Sequence, residues 1–343
     1  MVKANAYGHG LPLIGAWAAA DGADCLAVAT VSEGFALRRA GVESPILLLG
    51  PFAPDETRGL VRARLTPLLW DRTHAERLAR VAEAEGIRLS VHLKVDTGMA
   101  RWGVAAESAP ALARAVQAVE SLSLDGVASH FATADEKESR FARDQLERFL
   151  QVCRRLPSGL TRHIANSAAI FALPGAALDL VRAGLALYGV PPFEDGQPGS
   201  LRPVLTWKSW VATLRDLAAG EGVGYGHHFR ARRPSRIAVV PVGYGDGLPW
   251  GAEGASMLVR GRRAPLVGRI SMDSSFLDVT HLPSVAVGDE VVVLGSQGEE
   301  NLTAWEWARW GRTIPYAILT GIGHRVARLP RRTLALTRPR VSE

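Results

Sequence analysis

The strongest constraint on the fold is an alternation that runs through the first 195 residues. Short apolar runs recur at Cys25–Thr30, Pro45–Gly50, Leu65–Trp70, Leu89–Asp96, Leu124–Phe131, Thr161–Ala165 and Leu178–Ala183. Bounded by Gly, Pro, Asp or Asn, they read as strands buried on both faces. Helical patterns lie between them at 31–40, 55–64, 72–85, 107–119 and 139–156. In the last of these Leu146, Phe149, Leu150 and Cys153 fall on one face at i, i+3, i+4, i+7 spacing. Strands that alternate with helices make parallel βαβ units, because a parallel neighbour needs a crossover. With a strand end at Val2–Ala4 the total is about eight strands, which predicts an α/β fold with a TIM-type (β/α)8 barrel over 1–195. A doubly wound sheet is the alternative, but no GxGxxG turn follows a strand.

After Pro203 the texture changes. Strand patterns at Val204–Thr213, Ser235–Val242, Ser256–Val259, Ala264–Ile270, Ser275–Val279 and Glu290–Leu294 are joined by tight turns. One helix follows at Thr303–Arg309, with Thr303 as N-cap. This predicts a second, mostly antiparallel β domain over 203–343, separated from the barrel by the Pro- and Gly-rich stretch Pro191–Pro203.

Composition excludes several classes of function. With 47% hydrophobic and 22% charged residues the chain is globular rather than disordered or fibrous. Its net charge is +6, but the arginines are scattered. The densest basic run, Arg325 to Arg340, reads as a solvated tail or edge strand, so no nucleic-acid partner is expected. Cys25 and Cys153 form no CxxC pattern, which argues against a disulfide framework or a metal site and for a reducing cytoplasm. No apolar run reaches transmembrane length and no signal peptide opens the chain.

Of 40 basic residues only Lys3, Lys94, Lys137 and Lys208 are lysine. Arginine does not give up its proton and forms no Schiff base, so each lysine is worth questioning. Barrel chemistry sits at the C-terminal ends of the strands. There the sequence places Lys3, Asn5 and Tyr7; Lys94, Asp96 and Arg101; Ser129 and His130; His163, Asn166 and Ser167; and Arg182 and Gly184. Folding alone predicts Ser, Asn and Asp caps at such ends, not two of four lysines and two histidines. A strand-end lysine suits a Schiff base. Tyr7, Ser167 and the Gly184 backbone suit a phosphate, and Arg182 suits a ring nitrogen or a carboxylate. Together these parts point to pyridoxal phosphate. Lys137 and Lys208 read as surface or structural residues and His9 as turn packing; Tyr244 and Met272 are open to readings as a turn aromatic and a core filler.

The segment Val2-Lys3-Ala4-Asn5-Ala6-Tyr7-Gly8-His9-Gly10 resembles the cofactor-lysine signature of bacterial alanine racemases. The resemblance continues through Lys94-Val95-Asp96-Thr97-Gly98-Met99-Ala100-Arg101, Ser129-His130-Phe131-Ala132-Thr133-Ala134-Asp135 and His163-Ile164-Ala165-Asn166-Ser167-Ala168. It extends to Val181-Arg182-Ala183-Gly184-Leu185-Ala186-Leu187-Tyr188-Gly189, Val223-Gly224-Tyr225-Gly226 and Gly268-Arg269-Ile270-Ser271-Met272-Asp273. One such match is weak; all of them in order are highly specific.

The resemblance implies pyridoxal 5'-phosphate on Lys3, and two bases, Lys3 and Tyr225, exchanging the Cα proton of L- and D-alanine for peptidoglycan synthesis. It implies Arg182 at the pyridine nitrogen, His130 linking Arg182 toward Tyr225, and Tyr7, Asn166, Ser167, Gly184 and Leu185 around the cofactor. Arg101, Tyr244 and Met272 fall at the substrate, and Lys94 matches a lysine that is carbamylated in family members. It also implies a homodimer with shared sites, Tyr225 and Met272 reaching the partner's. Rival readings are a broad-spectrum or serine racemase of the same fold, and a non-catalytic pyridoxal-binding protein; decarboxylases of this fold use an acid at the ring nitrogen, unlike Arg182. Two departures stand out. Family members carry an additional strand and helix ahead of the cofactor lysine; a misassigned start is the favoured explanation and an inactive, truncated chain that folds poorly the other, and either predicts an insoluble or nearly inactive product when made from Met1. Several members place a phosphate-contacting Tyr where His324 falls.

Overall fold

The computed structural model describes residues 1–136 and 138–331. Lys137 and the basic run beyond Arg331 therefore lie outside the described residues.

The chain opens on a single left-handed turn, α1 (Lys3–Tyr7), and α2 (Leu11–Ala20) follows. The barrel is then β1 (Leu26–Val28), α3 (Val31–Arg39), β2 (Ile46–Leu48), α4 (Thr57–Arg62), β3 (Leu65–Leu69), α5 (Arg72–Ala84), β4 (Leu89–Asp96), β5 (Val104–Ala105), α6 (Ala109–Gln117), β6 (Leu122–Ala128), α7 (Arg140–Cys153), β7 (Thr161–His163) and α8 (Ser167–Ala172). The sheet runs β1-β2-β3-β4-β6-β7, all parallel, with the short β5 beside β4. The first three strands are fully buried, as two-sided apolar runs require.

Two expected strands are not present as ladders. Val2–Ala4 enters the left-handed turn, and Leu178–Ala183 opens in a turn, with Leu178 itself left-handed (φ 48°), and forms no strand. Each keeps isolated bonds that carry the ring onward: Val2 N–H donates to Ala27 O (2.9 Å), Arg182 N–H to Ala165 O (3.0 Å), and the Met1 amine to Ala183 O (3.0 Å). Single bonds of this kind align Lys3 and Arg182 with the strand ends without forming a strand.

The second domain comprises β8 (Trp207–Trp210), β9 (Thr213–Leu217), β10 (Gly222–Val223), β11 (Phe229–Arg230), β12 (Ser235–Val240), β13 (Ser256–Val259), β14 (Arg262–Val267), β15 (Ser275–Asp278), β16 (Glu290–Gln297) and β17 (Glu300–Leu302). Its main sheet runs β17-β16-β13-β14-β15-β12-β9, antiparallel, with β8 against β16. The expected strand Val204–Thr213 is two, β8 and β9. The helix α9 (Ala304–Trp310) is capped as expected by Thr303, reciprocally with Glu306. A second helix, α10 (Pro315–Gly321), was not expected; it is short and starts on Pro at its first position. It packs directly on the Lys3–Tyr7 turn: a Cβ on Gly8 (φ +82) would stand 1.9 Å from Leu319 O. One apolar core runs through both domains. Among the described residues no helix is long and apolar enough to cross a membrane.

Candidate active site

Ala4, Asn5, Ala6 and Tyr7 all have φ between 51° and 54°. Left-handed backbone costs roughly 1–2 kcal/mol per non-glycine residue, so this turn needs external support. Glu33 supplies part of it, accepting Ala4 N–H (2.6 Å) as well as Ala29 N–H (2.8 Å). Asn5 Oδ1 accepts Leu11 N–H (2.8 Å), and Arg328 donates twice to Gly8 O (2.9 and 2.7 Å). The turn places Lys3 at the barrel mouth. Burial and then Arg101 draw its amine below the ordinary lysine value, with Arg182 adding to the effect and Glu33 opposing it. Such a shift enlarges the neutral, nucleophilic fraction.

Arg182 is the buried hub. Its Nη1 donates to His163 Nδ1 (2.7 Å), and its Nη2 to Ser129 O (2.8 Å), His130 Nδ1 (3.0 Å) and Ile164 O (3.0 Å). Burial lowers its guanidinium only to about 10, so it stays charged at neutral pH. A guanidinium only donates, so both Nδ1 atoms must accept. Burial, then Arg182, holds His130 and His163 well below the ordinary histidine value, so each is neutral with its proton on Nε2. Among the described residues the Nε–H and the second Nη1–H of Arg182 have no acceptor, which leaves a donor for a ring nitrogen.

Tyr7, Ser167 and Gly184 converge. A Cβ on Gly184 would lie 2.7 Å from the Tyr7 hydroxyl and 3.6 Å from Ser167 Oγ, so only glycine leaves that space open. Ser167 Oγ accepts Gly184 N–H (2.8 Å) and Ala186 N–H (3.2 Å), and Asn166 caps α8 through Ala169 N–H (3.0 Å). Leu185, itself buried, follows at the head of a 3-10 turn. Tyr316 of α10, a residue the sequence reading missed, brings its ring to 5.9 Å from Tyr7. Burial raises both phenols, so both are donors. His324 is exposed, so the tyrosine beside this cradle is Tyr316. Tyr188 backs the cradle, stacked on Tyr7 (5.0 Å) and on His9 (4.4 Å), which is turn packing as expected.

Lys94 is 4% exposed, and its Nζ donates to Val95 O at 3.3 Å. Burial, with Arg182 next, lowers its amine to about 7. Asp96 accepts the Gly98, Met99 and Ala100 N–H groups and shapes the loop to Arg101, whose guanidinium lies 4.7 Å over the Trp102 ring. Lys208 is a surface partner of Glu290 (2.6 Å).

The remaining candidates sit on the β domain. Tyr225 tops the β10–β11 hairpin and is 71% exposed; Met272 is 52% and Tyr244 42% exposed. Tyr244 and Met272 are neighbours, through Tyr244 N–H to Ser271 O (3.0 Å) and Gly245 N–H to Met272 O (2.9 Å). Among the described residues no hydrogen bond or ring contact joins these three to the Lys3 group.

Comparison with known proteins accounts for both halves. The pattern described as "Alanine racemase, N-terminal domain" matches residues 1–192, and "Alanine racemase, C-terminal domain" matches 204–330. An alanine racemase of Syntrophobacter fumaroxidans is 43% identical over 94% of this chain and 88% of its own. One of Halothermothrix orenii is 39% identical over 96% and 88%. Among solved structures, the alanine racemase of Clostridium difficile 630 superposes with a TM-score of 0.90 at 32% identity, covering 95% of this chain and 86% of that one. That of Bacillus anthracis with bound L-Ala-P superposes at 0.87 and 33% identity, over 95% and 86%. Motifs, two-domain architecture and similarity over most of both chains agree, and the chain belongs to the alanine racemase family.

Proposed function

We propose that this racemase interconverts L-alanine and D-alanine in the cytoplasm, supplying D-alanine for peptidoglycan, with pyridoxal 5'-phosphate as cofactor and Lys3 and Tyr225 as the two bases. The observation that carries the reading is the meeting of three features at one barrel mouth. They are a lysine amine held below its ordinary value, an arginine donor without a protein acceptor, and a glycine-cleared space between Tyr7 and Ser167. These fit the amine partner, ring nitrogen and phosphate of that cofactor. When bound, the cofactor supplies a carbonyl for amines and a ring that accepts the electron pair left on Cα.

The chain's own residues do the rest. Tyr7, Ser167, Tyr316 and the backbone at Gly184 and Leu185 hold the phosphate, and Asn166 fixes the start of the helix beside it. Arg182 offers Nε–H to the ring nitrogen and, keeping its own proton, does not protonate it. Lys3 Nζ, once free, takes or returns the Cα proton on one face. Tyr225 serves the opposite face, with His130 Nε2–H directed toward its oxygen. Arg101 receives the substrate carboxylate, positioned by a carbamate on Lys94, and Tyr244 and Met272 close the substrate end.

The exposure of Tyr225, Tyr244 and Met272 on the second domain supports a homodimer in which each copy completes its partner's site. The test is a coupled racemisation assay with L-Ala against L-Ser, with Lys3→Ala as control. Turnover of neither amino acid refutes the reading; preference for L-Ser would favour the serine-racemase alternative.

A further inference from the structure

Below the proposed cofactor site the barrel core holds a histidine that the proton exchange does not use. His92 lies on β4, 8% exposed, with Nδ1 2.9 Å from Nε2 of His163 and the two rings tilted by 61°. It faces Gly126 across the β4–β6 ladder, immediately after a register shift between Val91 and His92. Gly126 makes the room: a Cβ there would stand 2.5 Å from two His92 ring atoms. A bulge and a glycine thus combine to let an imidazole enter a parallel sheet.

We propose that His92 is a positioning residue that locks the tautomer of His163 and, through it, the seat of Arg182. Arg182 can only donate, so His163 must accept at Nδ1 and carry its proton on Nε2. That Nε2–H is buried and needs an acceptor, which His92 Nδ1 provides. Burial keeps both rings neutral, so neither takes a second proton that would turn the contact into repulsion. Without an acceptor at position 92, His163 relieves its stranded N–H by moving the proton to Nδ1. The guanidinium then meets a donor where it had a lone pair, and Arg182 shifts from its seat.

The test uses the full-length holoenzyme labelled with 15N-histidine, in which two-bond proton–nitrogen correlations read each ring's tautomer. In the parent, His163 is protonated on Nε2 and bare on Nδ1. In His92→Leu that pattern is lost, and kcat/KM falls about tenfold, the equivalent of one hydrogen bond to a charged group. In His92→Asn, close to Leu in size but with an Oδ1 acceptor, both return toward the parent. Gly126→Ala displaces the ring and reproduces the Leu result, and it decides the matter if His92→Leu does not accumulate. An unchanged His163 pattern in the Leu and Ala variants, an Asn variant no better than Leu, or a parent His163 protonated on Nδ1 overturns the proposal. Only the kinetic arm rests on the reading of Arg182 as cofactor partner. A tautomer change in a chain that racemises no amino acid would refute the proposed function and leave this inference standing.

Discussion

Lys94 yields a prediction whose sign and size both follow from burial. Its amine is lowered from the ordinary 10.5 to about 7, by burial first and Arg182 second. At about 1.4 kcal/mol per pH unit that gap is worth on the order of 5 kcal/mol. The folded state binds this proton more weakly than the unfolded chain, so between pH 7 and 10.5 only the unfolded chain carries it. Stability therefore rises with pH across that window, and the full penalty applies below about pH 7. Lys94→Met removes the titration and keeps most of the volume. In CO2-free buffer the variant should exceed the parent in urea midpoint at pH 6, and the difference should shrink steadily toward pH 10. Comparing the two proteins at equal concentration cancels the other titrating groups and any self-association to first order. The same shift makes the amine reactive: roughly half is neutral at pH 7, against about one in 3000 for an ordinary lysine. Adding bicarbonate should then stabilise the parent alone, because a carbamate anion would be attracted by the Arg182 and Arg101 charges that now repel an ammonium. A parent–variant difference that is flat in pH, or an equal response of both proteins to bicarbonate, refutes the reasoning.

Gly184→Val should abolish retention of pyridoxal phosphate, read by absorbance, while far-UV circular dichroism is unchanged, since a side chain would fill the space between Tyr7 and Ser167. Tyr225→Phe should lower kcat by about 10²–10⁴, the range for loss of a general acid–base group. Co-expressing it with Lys3→Ala should regenerate activity, because each mixed dimer holds one intact site; no rescue would exclude shared sites. Glu33→Gln should move the acid limb of the kcat profile to lower pH, because Lys3 is a free amine only in the substrate complex and Glu33 opposes the downward pull of burial and Arg101 on it. Gly8→Ala should lower Tm by several degrees, combining the left-handed penalty with the contact against Leu319 O.

The strand–helix alternation, the domain change near Pro203 and the strand-end cluster around Lys3, Lys94, His130, Ser167 and Arg182 were legible because each depends on local pattern. Periodicity fails where a bond count decides. Val2–Ala4 and Leu178–Ala183 look like strands by composition but make only isolated bonds to their neighbours, not a ladder. The left-handed turn carries ordinary alanines, so no residue type announces it. Glu33 had a visible signal, the Thr30-x-x-Glu33 capping box, but its second task, holding Ala4 N–H, is a contact 29 residues away. Tyr316 lay in a seven-residue helix too short for its period to show, and only packing on Gly8 brings it beside Tyr7.

The site concentrates unfavourable choices: four left-handed residues, a buried guanidinium and a buried amine. Such features persist only where the surroundings over-determine them, and here much of the surrounding comes from the second domain. Arg328 donates to Gly8 O of the lysine turn and, with the same guanidinium, to Ile322, Gly323 and Val326 carbonyls that close α10. Leu319 O blocks any side chain at Gly8, and Tyr316 flanks Tyr7. The backbone that aims Lys3 is therefore held by the β domain as well as by its own barrel. A barrel freed of that domain would lose more than Tyr225: with Arg328 and α10 gone, nothing on that side would oppose relaxation of the turn to right-handed or extended backbone, and Lys3 would leave the mouth. Cofactor geometry and domain association are in this sense one equilibrium, and loosening the α10 contact should be felt first in how the barrel holds its lysine.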